Sequence, residues 1–202
     1  MYRAHPDMYG PEPSAPGRYA LDLFLDRQVT DVVELGAGQG RDTLAFLRAG
    51  LAVTALDFAA DGLAAIRDKA TAAGLDRKLL ARVHDARRPL PLPDASVDAV
   101  YSHMLLSMSF STAEILGIAG EVRRILRPGG WHVCTVRHTG DAHYRAGTEH
   151  GDGRWEHGGF VVHFFDQTLV QRTADGFRIV EQAEFTEGEL PRKLWRLTLR
   201  KS

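Results

Sequence analysis

A chain of 202 residues, 44% of them hydrophobic, is long enough for one sizeable core and reads most simply as a single domain. Its net charge of -1 gives no electrostatic reason to expect nucleic acid, and its single cysteine, Cys134, excludes an intrachain disulfide framework and suits a reducing, cytoplasmic setting. No apolar run approaches membrane-spanning length, and the first residues lack the basic-then-apolar build of a signal peptide.

Residues 1–17 carry four prolines, Pro6, Pro11, Pro13 and Pro16, which argues against regular helix or strand. The segment is expected either to fray or to lie as a lid over a bound ligand, with Tyr2, Tyr9 or Tyr19 as aromatic covers. Residues 18–26 follow as an amphipathic helix with Leu21, Phe24 and Leu25 on one face. Then comes Val32-Val33-Glu34-Leu35, a buried strand, running into the turn Gly36-Ala37-Gly38-Gln39-Gly40-Arg41. The glycines let the backbone adopt positive φ and approach a ligand closely. Asp42 and Thr43 can cap the next helix, which carries Leu44, Phe46 and Leu47 and ends at Gly50. A ligand is therefore expected at the carboxyl end of this strand, against a helix N-terminus. The dinucleotide fingerprint spaces its glycines Gly-x-Gly-x-x-Gly; here the spacing is Gly-x-Gly-x-Gly, and Glu34 suits a cationic group better than a phosphate.

Residues 52–56 read as a second strand ending in Asp57-Phe58, with an acidic residue about 20 positions past the glycines, where Rossmann-like proteins hold ribose hydroxyls. Asp61 opens a helix through Ala64, Ala65 and Ile66 that Gly74 ends, and residues 79–84 form a third strand leading to Asp85-Ala86. Prolines 91 and 93 set an extended approach to a fourth strand over residues 97–101. Ser111 and Glu114 form a capping box for a helix carrying Ile115, Ile118, Val122, Ile125 and Leu126, which Pro128-Gly129-Gly130 stops before a fifth strand over residues 131–136. Residues 138–163 hold His138, His143, His150, His157 and His163 among Asp141, Glu149, Asp152 and Glu156. These are metal-ligand types, but their spacings match no compact ligand motif, so no metal is assigned. The segment reads instead as a glycine-rich mobile loop that covers a substrate, with His138 pointing into the cleft. Asp166 can cap a last helix through Leu169 and Val170. Residues 177–183 and 194–199 then alternate as two strands joined too briefly for a crossover, so they must be antiparallel. Together these elements give an α/β, Rossmann-like, doubly wound sheet.

The glycine turn with Glu34, the Asp57 and Asp85 positions, the Leu90-to-Ser102 stretch and the "LRPGG" turn at residues 126–130 resemble the class I S-adenosylmethionine (SAM)-dependent methyltransferases over about residues 30–200. The resemblance implies a seven-stranded sheet, mostly parallel with an antiparallel last strand, SAM as cofactor and S-adenosylhomocysteine (SAH) as product. It places Glu34 at the methionine amino end and Gly36, Ala37, Gly38 and Gly40 along the turn. Arg41 would neutralise the carboxylate and Asp57 would take the ribose hydroxyls. Phe58, Asp85 and Ala86 would meet the adenine, and Tyr101 completes the cofactor set. Within the superfamily, "GQGRDT", "YSHM" and "VRH" look most like the small tellurite-resistance-type enzymes.

The acceptor is expected to be a small molecule or an inorganic oxyanion. No Asn/Asp-Pro-Pro-Tyr tetrapeptide follows the fourth strand, one buried-strand cysteine does not suit cytosine-C5 chemistry, and no basic tract exists. Its pocket is placed between the ends of the fourth and fifth strands. His103 and His138 are the candidate catalytic bases, and Met104, Arg137, Tyr144 and His163 the candidate substrate contacts, with Arg137 able to hold an anion. The competing functions are a non-catalytic SAM-binding protein and an NAD-dependent oxidoreductase, the latter needing the other glycine spacing.

Overall fold

The computed structural model describes residue 10, residues 12–188 and residues 192–202. Short strands of Val, Leu and Ala alternate with helices: α1 (Ala15–Asp26), β1 (Asp31–Leu35), α2 (Arg41–Arg48), β2 (Ala52–Asp57), α3 (Ala60–Ala72), β3 (Leu79–Val83), β4 (Val97–His103), α4 (Thr112–Ile125) and β5 (Leu126–Arg137). After three short strands, β6 (Thr148–Gly151), β7 (Arg154–His157) and β8 (Phe160–His163), come α5 (Gln167–Thr173), β9 (Phe177–Glu187) and β10 (Arg192–Lys201). The main sheet has seven strands in the order β3-β2-β1-β4-β5-β10-β9. Strands β1 to β5 pair in parallel, and β10 runs antiparallel to both of its neighbours. Among the described residues no helix is long and apolar enough to cross a membrane.

Alternating side chains send each strand's residues to opposite layers. Val32, Val53, Ala99, Tyr101 and Val133 pack with Phe24 of α1 and Phe46 of α2. Val33, Leu35, Leu56, Val100 and Cys134 pack with Ile115 and Ile118 of α4 and Val170 of α5. Both faces are covered, so the carboxyl ends of the strands, not a face, carry the cleft.

Four expectations about local structure are corrected. Helix α1 starts at Ala15, inside the segment read as an arm, because Ser14 caps it by accepting the Gly17 N–H and a proline in the first turn needs no N–H partner. It buries Ala20 and Phe24, while Leu25 is 48% exposed. Asp42 and Thr43 do not cap α2; Gly40 does, at φ 81°, and a Cβ there would lie 2.6 Å from Ile66 Cγ1 in α3. Residues 128–130 belong to β5, since α4 ends at Ile125. Residues 138–163 are not irregular throughout: after turns over residues 139–147, β6, β7 and β8 form an antiparallel meander, its turns made by glycines. Of the proposed aromatic covers, Tyr2 and Tyr9 lie outside the described residues. Tyr19 is committed elsewhere, its hydroxyl donating to Glu181 at 2.8 Å and meeting Thr198 at 3.0 Å.

Candidate cofactor and acceptor site

Glu34, Asp42 and Asp57 bring three buried carboxylates, each 6% exposed or less, to the ends of β1 and β2 and the start of α2. The Thr43 hydroxyl donates to Glu34. Burial above all, then the charges of Asp42 and Asp57, holds the Glu34 carboxyl well above the usual carboxylate range. Asp42 accepts the Ser14 N–H at 2.7 Å, the Ser14 hydroxyl at 2.8 Å and the Tyr101 hydroxyl at 2.9 Å, and Arg41 Nε stands 3.6 Å away. Asp57 accepts the Gly38 and Ala59 N–H groups, both at 2.8 Å, and so ties the glycine turn to the end of β2. Gly36 and Gly38 take φ of 76° and 55°, and Leu105 Cδ1 would lie 3.2 Å from a Cβ on Gly36. Ala37 is buried in the same turn.

Tyr101 is fully buried against Phe46, its hydroxyl on Asp42 and Ser14, so its side chain supports the turn from beneath. At the end of β3, Phe58 (75% exposed) and Val83 flank an open hollow shared with Arg82, His84, Asp85 and Arg88. The Arg87 guanidinium forks onto Asp85 at 2.9 and 2.7 Å and holds its carboxyl down at about 2. Ala86 packs on the α4-side core.

On the acceptor side, the left-handed turn at Met104 (φ 59°) follows His103, whose Nδ1 is 2.7 Å from Thr135 Oγ1 and whose Nε2 is 3.1 Å from Glu187 Oε2. Neither Thr135 nor Glu187 was readable as a site residue in the sequence. His138 does not point into the cleft: it is 3% exposed, stacks on Trp195 at 4.3 Å and faces Glu184 at 3.4 Å without hydrogen-bond geometry. Burial holds its pKa below the ordinary value. Arg137 is not available to an anion, because its buried guanidinium closes on Asp141 at 2.5 and 3.1 Å and donates to His143 Nδ1 at 3.1 Å. Tyr144 packs against Trp155 and Phe164, and the buried His163 donates from Nδ1 to the Phe110 carbonyl at 2.7 Å. Through Trp155 and His163 the meander is thus tied to Tyr144 and to Phe110 ahead of α4. Among the described residues no group of three or more His, Cys, Asp or Glu side chains converges as a metal site would.

A family model described as a methyltransferase domain matches residues 32–130, which run from β1 into the first half of β5. The chain is 30% identical over 161 residues to phosphatidylethanolamine N-methyltransferase of Cereibacter sphaeroides, covering 79% of this chain and 75% of that one. It superposes on a SAM-dependent methyltransferase from Methanosarcina mazei with a TM-score of 0.74 at 18% identity, over 85% of this chain and 92% of the other. TehB from Haemophilus influenzae shares the fold with a TM-score of 0.70 at 15% identity, over 92% of this chain and 62% of that one. Against other curated methyltransferases matched at 30–36% identity, the chain spans 38–50% of their length. The chain belongs to the class I SAM-dependent methyltransferases, and its cofactor is SAM. The residues present fit that cofactor. Three buried carboxylates with one nearby guanidinium leave room for positive charge, and a turn of positive-φ glycines leaves room for a ligand against the backbone.

Proposed function

We propose that this domain transfers a methyl group from SAM to a small-molecule acceptor that enters between the ends of β4 and β5, beneath the β6–β8 meander. The observation that carries the reading is the buried carboxylate trio around the glycine turn, which among the described residues has the one guanidinium of Arg41 beside it. Bound SAM supplies an electrophilic methyl on a sulfonium, so the chain's work is to bind, align and exclude water, for which effective molarity accounts for roughly 7–11 kcal/mol. Glu34 meets the amino end; Gly36, Ala37, Gly38 and Gly40 line the turn; Asp57 keeps free lone pairs for the ribose. Phe58 offers an exposed face to the adenine edge, with Asp85 and Ala86 beside it. Of the two histidines proposed as bases, His103 keeps that role and His138 is structural.

Because the folded chain holds the Glu34 proton more tightly than the unfolded chain, Glu34 contributes its stability below pH 4.5 and loses it as pH rises through its elevated pKa. Glu34→Gln removes that loss. The variant should melt higher than wild type at alkaline pH without SAM, and should bind SAM about tenfold or more weakly, since a charged hydrogen bond is worth roughly 1.5–3 kcal/mol. Lower apo stability in the variant, measured by thermal melts across pH, would contradict the assignment.

The transferase reading is tested by SAH release from the full chain with SAM and a panel of phenol, thiol, amine, oxyanion and phosphatidylethanolamine acceptors. The lipid is included because of the relative from Cereibacter sphaeroides. Release with at least one acceptor is expected. A chain that binds SAM but releases no SAH with any of them contradicts the transferase reading and favours a binding protein.

A further inference from the structure

The His103 ring sits at the end of β4, 16% exposed, and Leu105 just beyond it packs on the glycine turn. Thr135 Oγ1 accepts the Met104 N–H at 2.9 Å and lies 2.7 Å from His103 Nδ1, to which its hydroxyl can donate or from which its second lone pair can accept. A neutral ring with hydrogen on Nδ1 leaves its lone pair on Nε2. Glu187 Oε2, from the end of β9, stands 3.1 Å from Nε2 yet off the hydrogen-bond axis, since that oxygen is buried without a hydrogen-bond partner. The carboxylate is near enough to balance charge on the ring without filling the direction in which Nε2 would meet a donor. Arg41 and Arg192 are the other charges facing Glu187.

We propose that Glu187 is a positioning residue for His103: Thr135 fixes the Nδ1–H tautomer, Nε2 takes the acceptor's proton, and Glu187 carries the countercharge. This rests on the transferase reading and narrows it to acceptors that bring a proton, as a hydroxyl, thiol or amine does. When the acceptor's lone pair bonds the methyl carbon, the carbon–sulfur pair stays on sulfur. The pair of the acceptor's X–H bond stays on the acceptor atom, and its proton passes to Nε2. An oxyanion would need a cation instead, and Arg137 is closed on Asp141.

The test is a pH series of His103 ring-nitrogen NMR signals in the full chain, with and without SAH, for wild type, Glu187→Gln, Glu187→Asp and Thr135→Val. Wild type should show hydrogen on Nδ1 in the neutral ring. Glu187→Gln should weaken proton affinity about tenfold, the size of one lost neighbouring charge, while Glu187→Asp restores most of it. Thr135→Val should mix the tautomers. Hydrogen on Nε2 in the neutral wild-type ring, or an unmoved midpoint in Glu187→Gln, overturns the proposal. Backbone amide spectra identify any variant that fails to fold; where Glu187→Gln does, Glu187→Ala takes its place, with the same loss expected and an unmoved midpoint again overturning the proposal. SAH binding by calorimetry on the same samples separates the two readings. Absent binding sinks the methyltransferase site, whereas normal binding with an unmoved His103 sinks the role of Glu187 alone.

Discussion

Replacing Asp57 with alanine is expected to weaken SAM binding by roughly 10- to 150-fold, the range that 1.5–3 kcal/mol of charged hydrogen bonding spans. The effect should exceed that of a simple ligand contact, because Asp57 also holds the Gly38 N–H of the glycine turn and the Ala59 N–H at the start of α3. Losing it leaves the buried Gly38 donor without its partner, at a cost of roughly 1–3 kcal/mol, and frees the partly buried Ala59 N–H as well. Asp57→Asn keeps one acceptor oxygen and should fall between wild type and alanine in apo stability while binding SAM nearly as poorly as alanine. Calorimetry with SAM and urea melts of the apo chain read the two effects separately. Wild-type affinity in Asp57→Ala would remove Asp57 from the cofactor site.

His132 sets the second large effect. It lies in β5 with 1% exposure, and among the described residues neither ring nitrogen has a hydrogen-bond partner. Burial pushes its pKa down from 6.5 to about 4. A depressed folded-state pKa gives stability that is fully present above the unfolded value of 6.5 and is lost as pH falls toward 4. At about 1.4 kcal/mol per unit, His132 should account for about 3 kcal/mol of acid destabilisation. His132→Leu replaces the titratable ring with an apolar side chain and should flatten the acid limb of the stability curve by about that amount. Urea midpoints followed from neutral pH downward check it. An acid limb as steep in the variant as in wild type would contradict the assignment.

What the sequence made legible was local. The strand before Gly36, the positive-φ turn, Asp57 at the end of β2 and the Ser111–Glu114 capping box each depend on neighbours a few residues away. The antiparallel β9–β10 pair was legible too, because its connection is too short for a crossover. The seven strands and the antiparallel β10 match what the family resemblance implied.

What stayed hidden depends on partners far along the chain. Arg137 is the exception: its partner Asp141 is only four residues on, but the two meet through a turn after β5 that the residue pattern does not mark. His138 sits at the expected strand end, but Trp195, from the neighbouring antiparallel strand, takes its ring. Tyr101 is on the side of β4 that faces α1 and α2, where Asp42 and Ser14 claim its hydroxyl. The meander was masked by glycines that mark its turns as readily as they mark a flexible loop. Glu187 reaches His103 only because β9 and β10 extend beyond the sequence's alternating core, to Glu187 and from Arg192.

The central claim is that the acid-lined glycine turn binds SAM and not a dinucleotide. Calorimetric titration of the wild-type chain with SAM and, separately, with NAD tests it most directly. One SAM per chain with no heat of binding from NAD is the expected result. Binding of NAD, or no binding of SAM by a chain whose melt shows it folded, would contradict it.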